Sequence, residues 1–558
     1  MVKRIFEILN REIRGLHEAA YLLAFFSFLS QLLGLVRDRL LAHTFGADHM
    51  LDIYYASFKL PDLIFACIAS AVSISVLVPF LVERFGKSHK EESLFINSIF
   101  TVFSTVIIIV SIVAYIYTPE ILHIMYPTFT DSFSELVSLT RILLLQPIFL
   151  GISNFLGSIT QAHQRFISYA MSPVVYNLGI VIGVIFLYPA FGLNGLVYGV
   201  VVGSLLHLGL QLPFILEKRL FPRIVFNIDW VSIKNVLLLS LPRTFTLAFS
   251  SLSVIVLTSL ASRMAEGSIS VFTLSLNMQS VPLSIIGVSY SLAAFPTLAR
   301  FFTKGNIEQF IGSIVTAIRH IIFWSLPVTV LFIVLRAQIV RTILGSGNFN
   351  WNDTRLTAAC LAVFVVSAVA QSIILLFVRG YYAAGKTRKP LIINLIGAVL
   401  IVVIAYLSLY FFSVSTLFTD FMESLLRIQG LSGTPVVSLA IGYSLASLIN
   451  AGLLWIMFEK DFPGFSRVLK HVSFQSFGAS IIMGFFAYHS LAYLDDIFDI
   501  NTLPGIFFQG LLAGLVGLVV WFIVLKLLKS KELDDVVETL HKRIFSTKIY
   551  VEDHEHTI

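Results

Sequence analysis

The chain has 558 residues, of which 57% are hydrophobic and only 13% are charged, and its mean hydropathy is +0.89. A soluble domain carries roughly 25% charged residues, so this composition excludes a disordered chain, a collagen-like chain and an ordinary soluble enzyme. We interpret the formal net charge of +6 as the basic excess of cytoplasmic loops in a polytopic membrane protein, and not as nucleic-acid binding.

The first residues predict a short interfacial helix over 1–17, in which Ile5, Leu9 and Ile13 share one face. They are too charged for the apolar region of a cleavable signal peptide. Each segment that follows is long enough to cross about 30 Å of hydrocarbon as a helix. These about fourteen predicted spans lie near residues 18–43, 51–82, 94–117, 135–161, 167–188, 194–216, 234–262, 268–298, 309–344, 355–384, 390–412, 435–458, 472–494 and 504–528.

Basic residues alternate strictly between the loops on the two sides. If the N-terminus is cytoplasmic, the loops on that side hold most of the loop Lys and Arg, whereas the opposite loops hold only Arg263 and Arg427. This bias predicts that both termini are cytoplasmic and that the loops at 118–134, 413–434 and 495–503 are external. The chain is therefore expected to be a multi-pass membrane protein.

A long internal repeat relates spans 1–6 to spans 7–12. The sequence VPFLVERFGK at 78–87 corresponds to FPTLARFFTK at 295–304, at an offset of 217 residues. The match predicts two six-helix bundles in parallel repeat, a known transporter plan that places the site between the halves. The expected domains are the interfacial helix, an N-terminal bundle, a C-terminal bundle, two additional transmembrane helices and a cytoplasmic tail, at 1–17, 18–225, 226–465, 466–529 and 530–558.

Polar residues interrupt several of these apolar spans. A charge at mid-bilayer costs about 2.5–3.5 kcal/mol on insertion scales, so such a residue normally faces a partner or a water-filled cavity. Arg37 and Arg243 lie inside the first span of each half, and Gln31 and Asn277 add polar groups. We predict a cationic, water-filled cavity between the bundles that suits an anionic head group. The alternative is that Arg37 only anchors span 1 at the outer interface.

Asp38 follows Arg37 directly, about 100° further around the helix. This angle predicts that Asp38 is poorly placed to neutralise Arg37 and pairs instead with a cation on another helix. Arg243 is the nearest candidate by pseudo-symmetry.

Motifs for catalysis are scarce in the sequence. It contains no HExxH, GxSxG, Walker A or CxxC pattern, so we expect neither an enzyme nor an ATP-driven pump. Cys67 and Cys360 both lie in apolar runs, and no disulfide framework or metal cluster can be built from them.

Longer motifs carry a family resemblance. The chain reads GLVRDRLLAHTFGADHMLD at 34–52, FKLPDL at 58–63, GSGNFNWNDTRLTAACLA at 345–362 and RGYYAAGKTRKP at 379–390. In these motifs it resembles the MurJ (MviN) family of lipid II flippases, in the multidrug/oligosaccharidyl-lipid/polysaccharide exporter superfamily. The resemblance spans nearly the whole chain, and it implies a location in the bacterial cytoplasmic (inner) membrane. It implies two V-arranged bundles, a lipid-facing groove lined by spans 13 and 14, and transport of an undecaprenyl-diphosphate-linked peptidoglycan precursor.

The resemblance also assigns site residues. Arg37 and Asp38 match the family's essential cavity pair, and Asp52 matches its acidic residue at the start of span 2. The chain departs from the family where an Arg is usual, at Gln31 and Asn277, and at the Phe65–Ala66 pair. Arg243 is expected to compensate for these missing cations.

The expected function is flipping of lipid II by alternating access for cell-wall synthesis. The alternatives within transporters are a flippase for another polyprenyl-linked oligosaccharide and a cation-coupled drug exporter; a membrane-embedded glycosyltransferase or ligase and a non-transporting scaffold represent other classes. No cofactor is expected, and the membrane potential or a monovalent ion is a candidate driving force. Expected partners are the lipid-linked precursor and the bilayer, with the cell-wall synthesis machinery as a further candidate and no nucleic acid. A monomer is expected.

Overall fold

The computed structural model of the protein describes residues 16–69, 77–78, 80–81, 89–218, 220–499 and 502–545. The described residues form helices joined by short loops, and no strand occurs among them. The predicted interfacial helix at 1–17 falls almost entirely outside the described residues. The same holds for residues 546–558 of the predicted tail.

The α-helices of the first half of the chain are numbered in order. They are α1 Leu16–Phe45, α2 His49–Ser57, α3 Lys59–Ala69, α4 His89–Ile116, α5 Thr118–Met125, α6 Phe133–Leu143, α7 Leu145–Ala162, α8 Phe166–Ile182, α9 Tyr188–Phe191, α10 Leu193–Gly209 and α11 Leu212–Glu217.

The second half continues this numbering to the end of the described chain. Its helices are α12 Trp230–Ala261, α13 Ser268–Pro282, α14 Ser289–Thr303, α15 Ile307–Val334, α16 Arg336–Leu344, α17 Trp351–Ala383, α18 Arg388–Val414, α19 Thr416–Leu426, α20 Val437–Asp461, α21 Phe465–Asp495, α22 Leu503–Leu527 and α23 Lys531–Phe545. Two π-helical segments, Gly183–Leu187 and Leu283–Val288, join α8 to α9 and α13 to α14.

Twelve helical segments among the described residues are long and apolar enough to cross a membrane. They correspond to predicted spans 3 to 14, so the all-α polytopic fold is confirmed and the count of fourteen is approximate. Predicted span 1 is the 30-residue helix α1. Predicted span 2 is divided between α2 and α3 and continues into residues outside the described chain.

Glycines bring α8 and α10 into backbone contact. A Cβ on Gly199 would lie 2.9 Å from the carbonyl oxygen of Gly179, and a Cβ on Gly203 would lie 2.5 Å from the carbonyl oxygen of Tyr176. Any larger side chain would therefore push the helices apart. Close helix packing through small residues is typical of membrane proteins, which lack a strong hydrophobic force between helices.

Two compact units make up the chain. The first comprises Met1–Val281, Ile339–Ser367 and Gly385–Leu453, and the second comprises Pro282–Gln338, Ala368–Ala384 and Leu454–Ile558. The division into two six-helix bundles at residue 225 stays a prediction.

Within the first unit, the loops that are predicted to be external meet one another. The Asn348 Nδ2 donates to the Thr44 carbonyl oxygen at 2.7 Å, and the Thr128 hydroxyl donates to the Ser262 carbonyl oxygen at 2.8 Å. Gly433 lies against Ala265. Loops on one side of a membrane must share one end of the molecule, so these contacts support the predicted alternation.

The second unit holds the two C-terminal spans and the helix that follows them. Helices α21 and α22 pack on each other and on α15, around a core of Phe323, Met483, Trp521 and Leu525. The predicted tail begins as a docked helix, because the buried Leu533 of α23 joins this core.

Candidate functional site

The long helix α1 carries the charged pair at the centre of the candidate site. The Arg37 Nε donates to the Asp38 Oδ1 at 2.9 Å, and the Arg37 Nη2 lies 2.8 Å from the same oxygen. Asp38 is 1% exposed, whereas the Arg37 side chain keeps 23% of its surface exposed. A buried carboxylate therefore holds a guanidinium that remains accessible.

Two amide side chains from other helices hold this pair. The Arg37 Nη1 donates to the Asn177 Oδ1 of α8 at 3.1 Å. The Asn277 Nδ2 of α13 donates to the Asp38 Oδ2 at 3.1 Å. The amide nitrogen of Asn177 in turn donates to the backbone and hydroxyl oxygens of Ser30. Each group of the charged pair thus has a fixed orientation, which satisfies the requirement that buried charges be paired and hydrogen-bonded.

The prediction that Asp38 is poorly placed to neutralise Arg37 is wrong. Helical geometry does place their Cβ atoms about 100° apart, but the three methylenes of Arg37 let its guanidinium fold back along the helix surface to the neighbouring carboxylate. Asp38 is held by Arg37 and Asn277, and the expected pairing of Asp38 with Arg243 is not what the structure shows.

Asp52 has a different environment from the Arg37 pair. Its carboxylate is 4% exposed and accepts hydrogen bonds from the Gly267 backbone N–H at 2.9 Å, the Ser270 backbone N–H at 2.7 Å and the Ser270 hydroxyl at 2.6 Å. These donors lie at the start of α13, so Asp52 acts as an N-terminal cap supplied by another helix. Its hydrogen bonds link the predicted N-terminal and C-terminal halves within the first unit.

Arg243 and Gln31 are the two remaining predicted site residues. Arg243 is partly buried on α12, just after Pro242, and lies within electrostatic reach of Tyr169 of α8. Gln31 lies six residues before Arg37 on α1, which puts it about 120° around the helix from Arg37. One hydrogen-bonded group contains three of the six predicted site residues, Arg37, Asp38 and Asn277.

Sequence reasoning missed Asn177, which completes the set of groups around Arg37. A signal was present, because an amide in the apolar sequence SPVVYNLGIVI is a polar group inside a span. Asn177 is 8% exposed and lies four residues after Pro173, whose carbonyl oxygen it also contacts. Such a position identifies a polar contact, but not its partner on another helix.

A family model described as "Lipid II flippase MurJ" matches residues 41–512 of the chain. A relative from Rickettsia prowazekii (strain Madrid E), named probable lipid II flippase MurJ, is 27% identical over 444 residues, covering 79% of this chain and 83% of that protein. The lipid II flippase MurJ of Burkholderia cenocepacia is 23% identical over 397 residues, covering 69% of this chain and 76% of that protein.

Solved structures have a similar fold. The lipid II flippase MurJ in an inward closed conformation superposes with a TM-score of 0.71 at 22% identity, covering 93% of this chain and all of that one. A multidrug resistance MATE family transporter of the MOP superfamily, in an inward-facing conformation, superposes with a TM-score of 0.64 at 15% identity, covering 80% of this chain and 99% of that one. At these identities the likeness concerns the fold alone.

Proposed function

This chain belongs to the MurJ family of lipid II flippases, and we propose that it works by alternating access with the lipid head group held at Arg37. It translocates lipid II, the lipid-linked peptidoglycan precursor, and is a multi-pass protein of the inner membrane. The observation that carries the proposed site is the accessible Arg37 guanidinium, oriented by Asp38 and Asn177 inside the helices.

The geometry of Arg37 suits a phosphate ligand. A guanidinium has five N–H donors, and its contacts to Asp38 and Asn177 use three of them. Two donors stay available for phosphate oxygens, in the planar arrangement that favours bidentate binding. Asn277 holds the second oxygen of Asp38, so the carboxylate stays in place when the guanidinium engages a ligand.

We also propose a driving force, a membrane orientation and partners for the protein. The membrane potential or a monovalent ion drives transport, and both termini face the cytoplasm. The charge alternation of the loops and the meeting of predicted external loops in the first unit support this orientation. The protein acts as a monomer on undecaprenyl-diphosphate-linked precursor, next to the cell-wall synthesis machinery.

Depletion in growing cells tests the function directly. We expect lipid II to accumulate in the inner leaflet of cells depleted of the protein, and to be translocated again when the parent chain is expressed. The Arg37→Ala variant, produced at the parent level, should not restore translocation. Accumulation of another carrier lipid, or of none, would argue against lipid II as the substrate.

A further inference from the structure

A second polar group lies on α3, inside the predicted second span. Leu60 and Ile64 are buried and pack against Ala114 and Leu144, which fixes one face of this helix. Asp62 lies away from that core, and its carboxylate is exposed. A carboxylate inside a span avoids lipid and faces a cavity or a partner, so we place Asp62 toward the interior of the first unit.

Gln146 of α7 is the partner of this carboxylate. Its Nε2 donates to the Asp62 Oδ1 at 3.4 Å, while the side chain is only 4% exposed. The Gln146 Oε1 is buried and has no hydrogen-bond partner among the described residues. A buried amide oxygen without a donor costs free energy, and the ligand of a binding site is one source of the missing donor.

The Asp62 carboxylate and the Arg37 guanidinium share one polar region. Both lie within electrostatic reach of Tyr54 and of Tyr176. Arg37 presents N–H donors, whereas Asp62 and the Gln146 Oε1 present acceptors. The region is therefore suited to a ligand with an anionic part and a part rich in hydrogen-bond donors.

The positive charge of Lys59, next to Asp62, limits which hydrogen-bond donors of a ligand can bind there. Lys59 precedes Asp62 by one helical turn and interacts with it electrostatically. A second cation would be repelled by Lys59, while neutral hydroxyl and amide N–H groups would not. The ionised diphosphate of a lipid has no donors of its own, so these acceptors suit the sugar portion of a head group.

We propose that Asp62 and Gln146 form a subsite for the hydroxyl and amide N–H groups of the glycan attached to the lipid diphosphate. This inference rests on the proposed function and adds recognition of the sugar to the recognition of phosphate by Arg37. The two subsites would let the protein distinguish a loaded carrier from the bare carrier diphosphate.

Equilibrium binding to the purified full-length protein tests the proposal with two probes, lipid II and undecaprenyl diphosphate. The parent should bind lipid II more tightly. Asp62→Asn should weaken lipid II binding by about tenfold, the loss expected for one charge-assisted hydrogen bond, and leave undecaprenyl diphosphate binding within about twofold. Gln146→Met, which keeps the buried volume, should act in the same direction. Asp420→Asn, on an exposed residue of α19, is the matched control and should change neither affinity.

The outcomes separate this subsite from the proposed function. Equal affinity of the parent for the two lipids would overturn the subsite while leaving the flippase function intact, and this result needs no variant. Equal weakening of both lipids by Asp62→Asn, or weakening of neither, would also overturn it. A parent that binds neither lipid would remove the proposed head-group site, and the subsite with it.

Discussion

Arg37 joins two kinds of contact that only a guanidinium can make together. It contacts Asp38 on its own helix and Asn177 on α8, and it keeps donors for a ligand. We expect Arg37→Lys to retain the charge but to lose the contact to one partner, since an ammonium lacks the planar fork. A hydrogen bond to a charged group is worth about 1.5–3 kcal/mol, so lipid II translocation should fall by about 10- to 150-fold. Translocation in reconstituted vesicles measures this change.

Arg263→Lys provides the matched control for that substitution. Arg263 is exposed in the loop between α12 and α13, so its conversion to Lys should leave translocation at the parent rate. If Arg37→Lys also translocated lipid II at the parent rate, Arg37 would be no more than an anchor of α1 at the interface.

The candidate site shows which residue-scale features the sequence predicts. The cost of a charge inside a span pointed to Arg37, and the family motif pointed to Asp38. Neither argument could predict that the two pair with each other, because the contact depends on side-chain rotamers and not on helical period. Asn177 was missed for a related reason, since its partner lies 140 residues away and only the packing of α8 on α1 brings them together.

At the scale of elements, Asp52 connects α2 to the start of α13. Its two oxygens accept three hydrogen bonds from Gly267 and Ser270. Asp52→Asn would offer one acceptor oxygen and remove the negative charge that favours a helix N-terminus. We expect a loss of about 1.5–3 kcal/mol in stability, seen as a lower unfolding temperature in detergent. Glu266→Gln, on an exposed neighbour, should have no such effect, and equal melting of both variants would contradict the capping role.

The docking of α23 should depend on pH. Burial alone raises the pKa of Glu532, but hydrogen bonds from its own backbone N–H, from Arg319 and from Ser530 outweigh it, and the pKa lies below the ordinary 4.5. The lowered pKa means that ionised Glu532 stabilises the docked helix above pH 4.5. This contribution is lost as the pH falls through the lowered value. A spin label on Val537→Cys, made in a background without Cys67 and Cys360, should therefore become mobile as the pH falls below 4.5 and through the lowered pKa of Glu532.

Replacing the Glu532 carboxylate by an amide tests the contribution of the Arg319–Glu532 ion pair at neutral pH, where acid has no other effect on the protein. Removing one partner of a buried pair costs about 3–5 kcal/mol, and the lower end applies because the Arg319 side chain is 24% exposed. Glu532→Gln should free the label at neutral pH, while Asp534→Asn, which changes an exposed residue, should behave as the parent. An unchanged label in Glu532→Gln would show that apolar contacts alone hold α23.

Long apolar helices were predictable, whereas the interruptions and short helices were not. Hydropathy located predicted spans 3 to 14 because each needs about 20 apolar residues. It did not predict that span 4 divides at Leu144 into α6 and α7, nor that π-helical turns follow α8 and α13. These features arise from local backbone geometry near Pro147, Pro189 and Pro282, where a missing N–H loosens the helical ladder.

At the scale of the whole molecule, the loops define a testable orientation. Thr130 lies exposed in a loop predicted to be external, and Ser88 lies in a loop predicted to be cytoplasmic. In a background without Cys67 and Cys360, Thr130→Cys should react with an impermeant maleimide added to intact cells, and Ser88→Cys should react only after the membrane is permeabilised. The cysteine-free parent supplies the blank. Labelling of Ser88→Cys from outside would reverse the orientation.

Alternating access requires contacts between the predicted halves to break during transport. Such a contact joins Thr44, at the end of α1, to Asn348, in the loop before α17: the Asn348 side chain donates to the Thr44 carbonyl oxygen at 2.7 Å, and its backbone N–H donates to the His43 carbonyl oxygen at 3.0 Å. If these two segments separate to release the head group on the outside, a covalent cross-link between them traps the protein in the conformation in which they are in contact. Cross-linking Thr44→Cys to Asn348→Cys should therefore stop lipid II translocation, and cleaving the linker should restore it.

A link within one predicted half is the control for this experiment. His49 and Ser132 hydrogen-bond to each other through their side chains, and both belong to the predicted N-terminal bundle at 18–225. Joining His49→Cys to Ser132→Cys with the same reagent should leave translocation close to the parent rate, because a rigid half can move as a body while carrying this link. Translocation at the parent rate with Thr44 and Asn348 joined would instead mean that the lipid crosses without separation of these segments.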